Sequence, residues 1–353
     1  MILGIETSCD ETAAALLDAE GEVRSNVVAS QSVHELYGGV VPEIASREHV
    51  RKMLPVLDRA LAEAGATLDD VRAICVTSGP GLVGSLLVGV TTAKAIALAR
   101  GLPILGVNHL EGHAMSPFLE DAELRPPAVV LVASGGHTLL AHVRDEERLE
   151  VIGRTRDDAA GEAWDKVSVM LGLGYPGGAA LERLAEGADA TAFDFPRARL
   201  EEGTLDFSFS GVKTSVRLAL DRDPSLGQPP VARDVAASFQ AALVDVLVEK
   251  TMAAASRTGV GAVGIAGGVA ANGALRRAMA AACAERRLKL VVPRLAYCGD
   301  NAAMIAFAGK RRLDRGERSG FDLDADPGLP LGAMPNRAPR GRRQGRAIRT
   351  RTV

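Results

Sequence analysis

Aromatic residues are scarce in this sequence, and cysteines are few. Phe, Trp and Tyr together make up 3% of the 353 residues while apolar residues make up 47%, so small aliphatic side chains must fill the core. The four cysteines form no C-x-x-C pair, which argues against a disulfide framework and agrees with a reduced cytoplasm. A chain of this length can form one large domain or two ordinary ones.

Signals for export and for membrane insertion are also missing. The first residues, MILGIETSCDE, contain no basic segment followed by an apolar one. No apolar run approaches the length of about 18 residues that a membrane-spanning helix needs. We therefore expect a cytoplasmic protein that makes no contact with a membrane.

Acidic residues are absent from residues 336–353, which hold seven arginines. The whole chain has 41 basic and 44 acidic residues, so the remainder carries 34 against 44, a net charge of −10. An arginine-rich segment can bind the phosphates of a nucleic acid, and it can equally be a solvated, disordered end. We expect residues 321–353 to form a flexible, arginine-rich tail whose role stays open.

The sequence does contain one pattern of elements that occurs twice. Two meanders of three predicted strands, at 1–30 and 128–155, each lead into a helical stretch, at 43–64 and 231–257. In both halves a strand then runs into a glycine-rich turn and a helix, and a further short strand follows. Two α/β units of one plan predict two similar domains with a cleft between them.

The glycine turns would aim backbone N–H groups into that cleft, where they could hold a phosphate. SGPGLVGS, with Gly79, Gly81 and Gly84, matches the pattern G-x-G-x-x-G. A dinucleotide-binding site of this kind needs an acidic residue near the end of the next strand, but Asn108 and His109 stand there, which disfavours it. No G-x-x-x-x-G-K-[ST] motif occurs, which excludes a P-loop.

The stretch NHLEGH places His109 and His113 four residues apart, the spacing of two metal ligands on one helix face. In the zinc-protease motif H-E-x-x-H the glutamate directly follows the first histidine and acts as general base. Here Glu111 comes one residue later, about 100° further round a helix, so it would point elsewhere and a metalloprotease is disfavoured. By spacing alone, a metal site and an ordinary pair of histidines both remain open.

Longer motifs follow one another along the chain: GIETSCDET, GGVVPEIASREHV, SGPGLVGSLLVG, NHLEGH, SGGHT, DDAAGEAWDKV, LGYPGG, DFSFSGVKT, GGVAAN and CGDNAAMIA. In this order they resemble the universal tRNA threonylcarbamoyladenosine transferase family. Its bacterial form is called TsaD and was formerly called O-sialoglycoprotein endopeptidase. The resemblance covers about residues 1–315.

The resemblance implies an actin/sugar-kinase/Hsp70-like (ASKHA) fold with two RNase H-like lobes. The N-terminal lobe would be 1–108, completed by a returning helix at about 300–315, and the C-terminal lobe would be 109–300. It implies transfer of threonylcarbamoyl from threonylcarbamoyl-AMP to N6 of the adenosine just 3′ of the anticodon, in tRNAs reading codons that begin with A (t6A formation). Bacterial members work with an inactive paralogue, TsaB, and a small ATPase, TsaE, while a separate synthase makes the intermediate.

The same resemblance implies roles for particular positions. His109, His113 and Asp300 match the metal ligands, and two histidines with one carboxylate suit Fe²⁺ or else Zn²⁺. Asp10 matches an acidic residue needed for activity, and we expect it to take the amine proton or to orient the group that does. The residues expected to bind the acyl-adenylate are Val132, Ala133, Ser134, Gly135 and Gly136, in a loop around its phosphate and threonylcarbamoyl group, and Asp165, Gly178, Glu182 and Asn272, around its nucleotide.

Three positions depart from the family pattern. Ala179 replaces a usual proline, Gly299 replaces a hydroxyl residue beside Asp300, and Val132 stands where archaeal and eukaryotic members have a metal-binding tyrosine. The last difference indicates the bacterial type, with fewer protein ligands to the metal. Lys213 matches a family motif, and we assign it no role. An ATPase or kinase of the same fold and a non-catalytic scaffold stay as alternatives, although the intact metal ligands disfavour the scaffold.

Overall fold

The computed structural model describes residues 1–198 and 203–332. The arginine-rich segment 336–353 lies outside the described residues. Within them the chain forms two five-stranded sheets with helices packed on them. The α-helices of the described chain are α1 (Pro42–Glu63), α2 (Val83–Arg100), α3 (His109–Glu120), α4 (Ala160–Met170), α5 (Gly178–Ala185), α6 (Ser210–Arg222), α7 (Val231–Thr258), α8 (Gly273–Glu285) and α9 (Ala302–Asp314).

The first lobe is built on a mixed sheet. Its strands are β1 (Ile2–Glu6), β2 (Glu11–Leu17), β3 (Val23–Ser30), β4 (Ala73–Gly79) and β5 (Ile104–Asn108). They lie in the order β3-β2-β1-β4-β5, with β1 antiparallel to β2 and parallel to β4. The central strand β4 is buried along its whole length, which is expected where helices cover both faces of a sheet.

The second lobe repeats this plan. Its strands are β6 (Ala128–Ala133), β7 (Thr138–Val143), β8 (Leu149–Arg154), β9 (Ala262–Ala266) and β10 (Lys289–Val291). They lie in the order β10-β9-β6-β7-β8, and β6 is antiparallel to β7 and parallel to β9. Strand order and pairing are therefore the same in both sheets, which confirms the duplication predicted from the sequence.

After the second sheet the chain returns to the first lobe. Helix α9 packs against β1 and β2 and also against α3. Residues 319–332, called here the C-terminal strap, continue along the same sheet: Ser319 N donates to Ile104 O (2.8 Å), and Asp326 N donates to Ser78 O (2.8 Å). Leu323 is completely buried in the core of the first lobe. The expectation of a flexible tail from residue 321 was thus wrong for 321–332, because backbone hydrogen bonds and buried leucines hold this segment.

Helix α2 is long and apolar enough to cross a membrane, judged by length and composition only (mean hydropathy 1.4 over 18 residues). This helix contains no uninterrupted apolar run of that length, because Lys94 and Arg100 interrupt its apolar residues. The helix packs against β4 and α1. Its position is that of a helix covering the first sheet.

Candidate active site

The two histidines lie at the start of α3, directly after the end of β5. The helix begins at His109 because Asn108 caps it: its side-chain Oδ1 accepts hydrogen bonds from Leu110 N (2.9 Å) and Glu111 N (3.3 Å). Residues four apart share one face of a helix, and the ring centroids of His109 and His113 are 4.7 Å apart. Glu111 lies on another side of α3, in contact with Arg312, as the sequence predicted.

The carboxylate of Asp300 meets both histidines from the loop before α9. Its Oδ1 lies 3.0 Å from His113 Nε2 and 3.5 Å from His109 Nε2. One ligand atom from each of the three residues lies within 4.8 Å of the others. The other ring nitrogen of His113, Nδ1, is buried without a hydrogen-bond partner in the described chain, so Nε2 makes the polar contacts of this ring. Two imidazole nitrogens and one carboxylate oxygen can hold a divalent ion and leave further coordination positions open.

A second carboxylate, from Glu6 at the end of β1, stands behind His109. Glu6 Oε2 lies 3.1 Å from His109 Nδ1 and also accepts a hydrogen bond from the Thr77 hydroxyl. Metal-binding histidines are commonly oriented by a carboxylate at the nitrogen that does not bind the ion. Glu6 was not among the predicted site residues, although a carboxylate at the end of an apolar strand was a usable signal.

These buried groups shift one another's pKa. Burial lowers the pKa of His109, but the charges of Asp300 and Glu6 outweigh burial and raise it to about 9. Burial raises the pKa of Asp300 and of Glu6, but His109 holds both below their usual range, helped by His113 at Asp300. The negative charges of Asp300 and Glu6 therefore favour a cation between them, either a proton on His109 or a metal ion.

The histidines border a cavity of about 990 Å³ between the two lobes. Its first-lobe wall consists of residues 8–11, 38–40 and 80–82. Its second-lobe wall includes residues 134–137, Asp165, Tyr175 and Gly268, and the predicted metal ligands His109 and Asp300 line it as well. A cavity of this size with convergent polar groups is typical of a ligand-binding site.

The structure brings only part of the predicted substrate-binding set to the cavity. The predicted residues that line it are Asp10, Ser134, Gly135, Gly136 and Asp165. Val132 and Ala133 were expected in a loop, which was wrong: both lie in β6, and their side chains are buried in the core. Successive side chains of β6 point to opposite faces of the sheet, and both faces are covered. Neither side chain therefore faces the cavity.

The remaining predicted residues are not among the described residues that line the cavity. Glu182 Oε1 accepts a hydrogen bond from Gly273 N (2.7 Å). Asn272 caps α8 through Leu275 N and donates to Gln240 Oε1 (2.9 Å). Both side chains thus form hydrogen bonds within the protein, whereas we expected them to contact the nucleotide. Gly178 begins α5 and does not line the cavity among the described residues.

The lining residues outside the predicted set include Glu11 and His137. Burial, together with the charges of Asp300 and Asp10, raises the pKa of Glu11 to about 9, so this side chain is protonated at neutral pH and hydrogen-bonds to Asp10. The second is His137, in the turn between β6 and β7. Lys213, to which we assigned no role, pairs with Asp158 and so fastens α6 to the segment before α4.

Known proteins resemble this chain over most of its length. Residues 22–307 match the family model described as "TsaD: tRNA N6-adenosine threonylcarbamoyltransferase". Relatives called tRNA N6-adenosine threonylcarbamoyltransferase include one from Salinibacter ruber, 54% identical (94% of this chain, 100% of the relative), and one from Clostridium botulinum strain 657, 48% identical (94% and 98%). The crystal structure of T. kodakarensis HypF superposes with a TM-score of 0.60 at 15% identity, over 89% of this chain and 48% of that one. That likeness concerns the fold alone, and it agrees with the predicted ASKHA architecture.

Proposed function

The chain belongs to the TsaD family of tRNA N6-adenosine threonylcarbamoyltransferases, and from this premise we propose how its cavity carries out the transfer. It is a transferase that attaches threonylcarbamoyl to N6 of an adenosine in tRNA, forming t6A. One observation carries the proposed mechanism: His109 and Asp300 line the same cavity as the glycine loop 134–136, with His113 directly behind them. The adenosine is the one just 3′ of the anticodon, in tRNAs reading codons that begin with A.

The proposed donor is threonylcarbamoyl-AMP, a mixed anhydride of a carbamic acid and a phosphate. Ser134 N already donates to His137 O (2.8 Å), whereas the N–H groups of Gly135 and Gly136 have no acceptor in the described chain. A Cβ atom built at either glycine would meet no neighbour, so ligand atoms can approach this backbone closely. The two free N–H groups are therefore suited to the donor phosphate or to the oxyanion that forms at the carbamoyl carbon.

The nucleotide of the donor would lie along the second-lobe wall. Asp165 faces the cavity and accepts a hydrogen bond from Gly177 N (2.8 Å), and its second carboxylate oxygen is suited to a ribose hydroxyl. Glu182 and Asn272 would act from behind by fixing the start of α8, next to the lining residue Gly268. Gly178 would give the nucleotide room at the start of α5, where a Cβ atom would meet nothing.

His109, His113 and Asp300 would hold one divalent ion, for which we propose Fe²⁺, with Zn²⁺ as the other candidate. Bound there, the ion would supply Lewis-acid polarisation of the donor and neutralise charge on its phosphate. Glu6 would keep the His109 ring oriented through Nδ1. The chain itself thus supplies rigid placement of the ligands on α3 and on the capped start of α9.

The acceptor amine would approach from the open side of the cavity, near Asp10. Adenine N6 is a poor nucleophile because its lone pair is delocalised into the ring, so its position and the fate of its proton decide the rate. Asp10 accepts a hydrogen bond from protonated Glu11, which fixes its carboxylate at the cavity wall. We assign Asp10 to proton transfer, either as acceptor or by orienting the group that accepts. Extracting the adenosine from its stack costs a few kcal/mol, which tRNA binding must supply.

The proposed protein partners are the inactive paralogue TsaB and the ATPase TsaE. An exposed apolar surface, called here the α1–α2 patch, offers TsaB a docking site on the first lobe. It consists of Val50 and Leu54 on α1 and of Val83, Leu87 and Leu98 on α2, which packs beside α1. Val50 and Leu54 are 66% and 62% exposed and share one helix face, so a partner that covers them removes apolar surface from water. Because its substrate is tRNA, the enzyme acts inside the cell, and we place it in the cytoplasm.

Reconstitution tests the proposed function. The purified chain is combined with TsaB, TsaE, threonylcarbamoyl-AMP generated in situ and a tRNA transcript that reads an A-starting codon, and the digested tRNA is analysed by nucleoside mass spectrometry. We expect t6A only when the chain is present, and none with a His113→Ala, Asp300→Asn double variant. Hydrolysis of ATP by the chain alone at an ordinary enzymatic rate, without t6A, would instead favour a kinase-like or ATPase function.

A further inference from the structure

Equivalent turns of the two lobes face the same cavity. Residues 7–10 connect β1 to β2, and residues 134–137 connect β6 to β7, with four residues in each turn. Both strand pairs are antiparallel, and each sheet has the same strand order. The duplication therefore makes His137 the counterpart of Asp10, since each residue directly precedes the second strand of its hairpin. Both residues line the cavity, one from each lobe.

The backbone of His137 is fixed, while its ring is open. His137 N donates to Ser134 Oγ (3.1 Å), and His137 O accepts from Ser134 N (2.8 Å). Neither ring nitrogen has a hydrogen-bond partner among the described residues, although the side chain lies in the cavity wall. Four other histidines use at least one ring nitrogen within the protein: His34 by Gln31, His49 by Thr12 and Cys9, His109 by Glu6, and His113 by Asp300. His142 Nε2 also has no partner in the described chain, but it is buried on β7 and does not line the cavity.

We propose that the His137 imidazole is the general base that takes the proton from adenine N6, an inference that rests on the proposed function. N6 attacks the carbamoyl carbon, and a C–N bond forms. The C–O bond to the phosphate then breaks, and AMP leaves with that electron pair. One N6 proton moves to a ring nitrogen of His137 and passes from there to water in the open cavity. Asp10, on the opposite wall, then serves as the orienting partner.

The electrostatics of the cavity suit this role. Burial and then the positive charges of His109 and His113 lower the pKa of His137 to about 4, more than Asp300 raises it. A neutral imidazole ring has a lone pair to offer. After attack the adenine nitrogen is cationic and strongly acidic, so a weak base suffices to remove its proton. His137 lines the same cavity as His109 and Asp300, where the carbamoyl carbon would be held.

The test compares His137→Gln with wild type and with His142→Gln, a control on β7 that does not line the cavity. Single-turnover formation of t6A is followed in the full reconstituted system with saturating tRNA and donor. We expect His137→Gln to be about 10²–10⁴-fold slower, as is typical for the loss of a general base, and His142→Gln to match wild type. Bound Zn²⁺, measured by elemental analysis, should stay unchanged in all three proteins. In His137→Ala, added imidazole should restore part of the rate.

Several results would overturn the inference. They are a His137→Gln rate within about fivefold of wild type, loss of bound Zn²⁺ from this variant, and recovery of its rate when donor is raised above the concentration that saturates wild type. Loss of Zn²⁺ would make the ring a metal ligand, and rescue by donor would make it a binding group. A wild-type protein that forms no t6A in the same system would count against the proposed function and would be recognised before any variant is compared.

Discussion

Glu6 Oε2 lies 3.1 Å from His109 Nδ1, so the last residue of β1 orients the first residue of α3. The Thr77 hydroxyl donates to the same carboxylate, and Ser8 Oγ lies 3.2 Å from the same ring nitrogen. Three segments of the first lobe thus determine which way His109 points. Glu6, which is not itself a predicted metal ligand, is in this way coupled to the candidate metal centre.

Replacing Glu6 by Gln should weaken binding of a divalent ion about 10–100-fold, because an uncharged amide orients the His109 ring less strongly and makes it a poorer donor. Zn²⁺ titration against a competing chelator measures the change. Glu111→Gln is the matched control, since Glu111 is a half-buried carboxyl on α3 that contacts Arg312 and not the histidines. Equal Zn²⁺ affinity in Glu6→Gln and wild type would refute this role.

Zn²⁺ should also stabilise the folded chain, because the ligands come from segments that separate on unfolding, α3 and the loop before α9. At a free Zn²⁺ concentration of 100 times the Kd, the free energy of unfolding should rise by about 2.7 kcal/mol. Urea unfolding with Zn²⁺ and with a chelator measures this difference. The Asp300→Asn variant should lose most of it, and a wild-type protein equally stable in both conditions would contradict the site.

Gly161→Ala should impair the donor loop. A Cβ atom at Gly161 on α4 would lie 2.6 Å from Ser134 O and 2.8 Å from Gly135 N, so the loop must move. Such overpacking costs about 1–3 kcal/mol, and we expect a raised KM for the donor with metal affinity unchanged. Gly211→Ala on α6, where a Cβ atom meets nothing, is the control. Wild-type KM in Gly161→Ala would show that the loop position does not matter.

The α1–α2 patch predicts how the first lobe binds its partner. A Val50→Glu, Leu54→Glu variant should lose association with TsaB in size-exclusion chromatography, because burying unpaired carboxylates at an interface is costly. Leu218→Glu on α6, a leucine that is 44% exposed in the second lobe, should associate as wild type does. Retained association of the double variant, with its fold intact by circular dichroism, would place TsaB elsewhere.

A pair of truncations separates the C-terminal strap from the arginine-rich segment. Ending the chain after residue 335 should leave Zn²⁺ affinity unchanged and weaken tRNA binding at low salt, with the slope of log K against log salt falling by about 0.7–0.9 per lost phosphate contact. Ending it after residue 318 should in addition weaken Zn²⁺ binding, because Asn108, which caps α3, donates to Leu329 O (3.1 Å) and Pro330 O (3.2 Å). If the protein that ends after residue 335 bound tRNA as tightly as wild type, the arginines would not contribute to tRNA binding.

Much of the fold could be read from the sequence because local patterns determine it. The predicted strands and helices of both halves occur close to their predicted positions, for example α1 at Pro42–Glu63 and α7 at Val231–Thr258, predicted at 43–64 and 231–257. The spacing of His109 and His113 fixed their shared face of α3 in the same way. Asp300, in contrast, could be joined to them only through the resemblance, since no local pattern brings residues so distant in sequence together.

What the sequence could not supply were contacts between distant segments. Glu6 and His137 belong to short turns and strand ends whose neighbours depend on how the two lobes meet. Asn272 was expected to hold a nucleotide, yet the same amide chemistry caps α8 equally well, and only the fold shows which use prevails. The strap was mistaken for a tail because a segment rich in Asp, Gly and Pro resembles a solvated end, while its anchoring depends on backbone hydrogen bonds.

The strap also has a consequence for biosynthesis. Leu329 and Pro330, which hold Asn108 at the start of α3, leave the ribosome after nearly all the rest of the chain. Because domains fold as they emerge, both sheets can form while this cap is still unsupported. Chains released with their end at residue 318 should therefore be compact and yet poorly able to retain an ion, so that competence is acquired only with the last segment to be made.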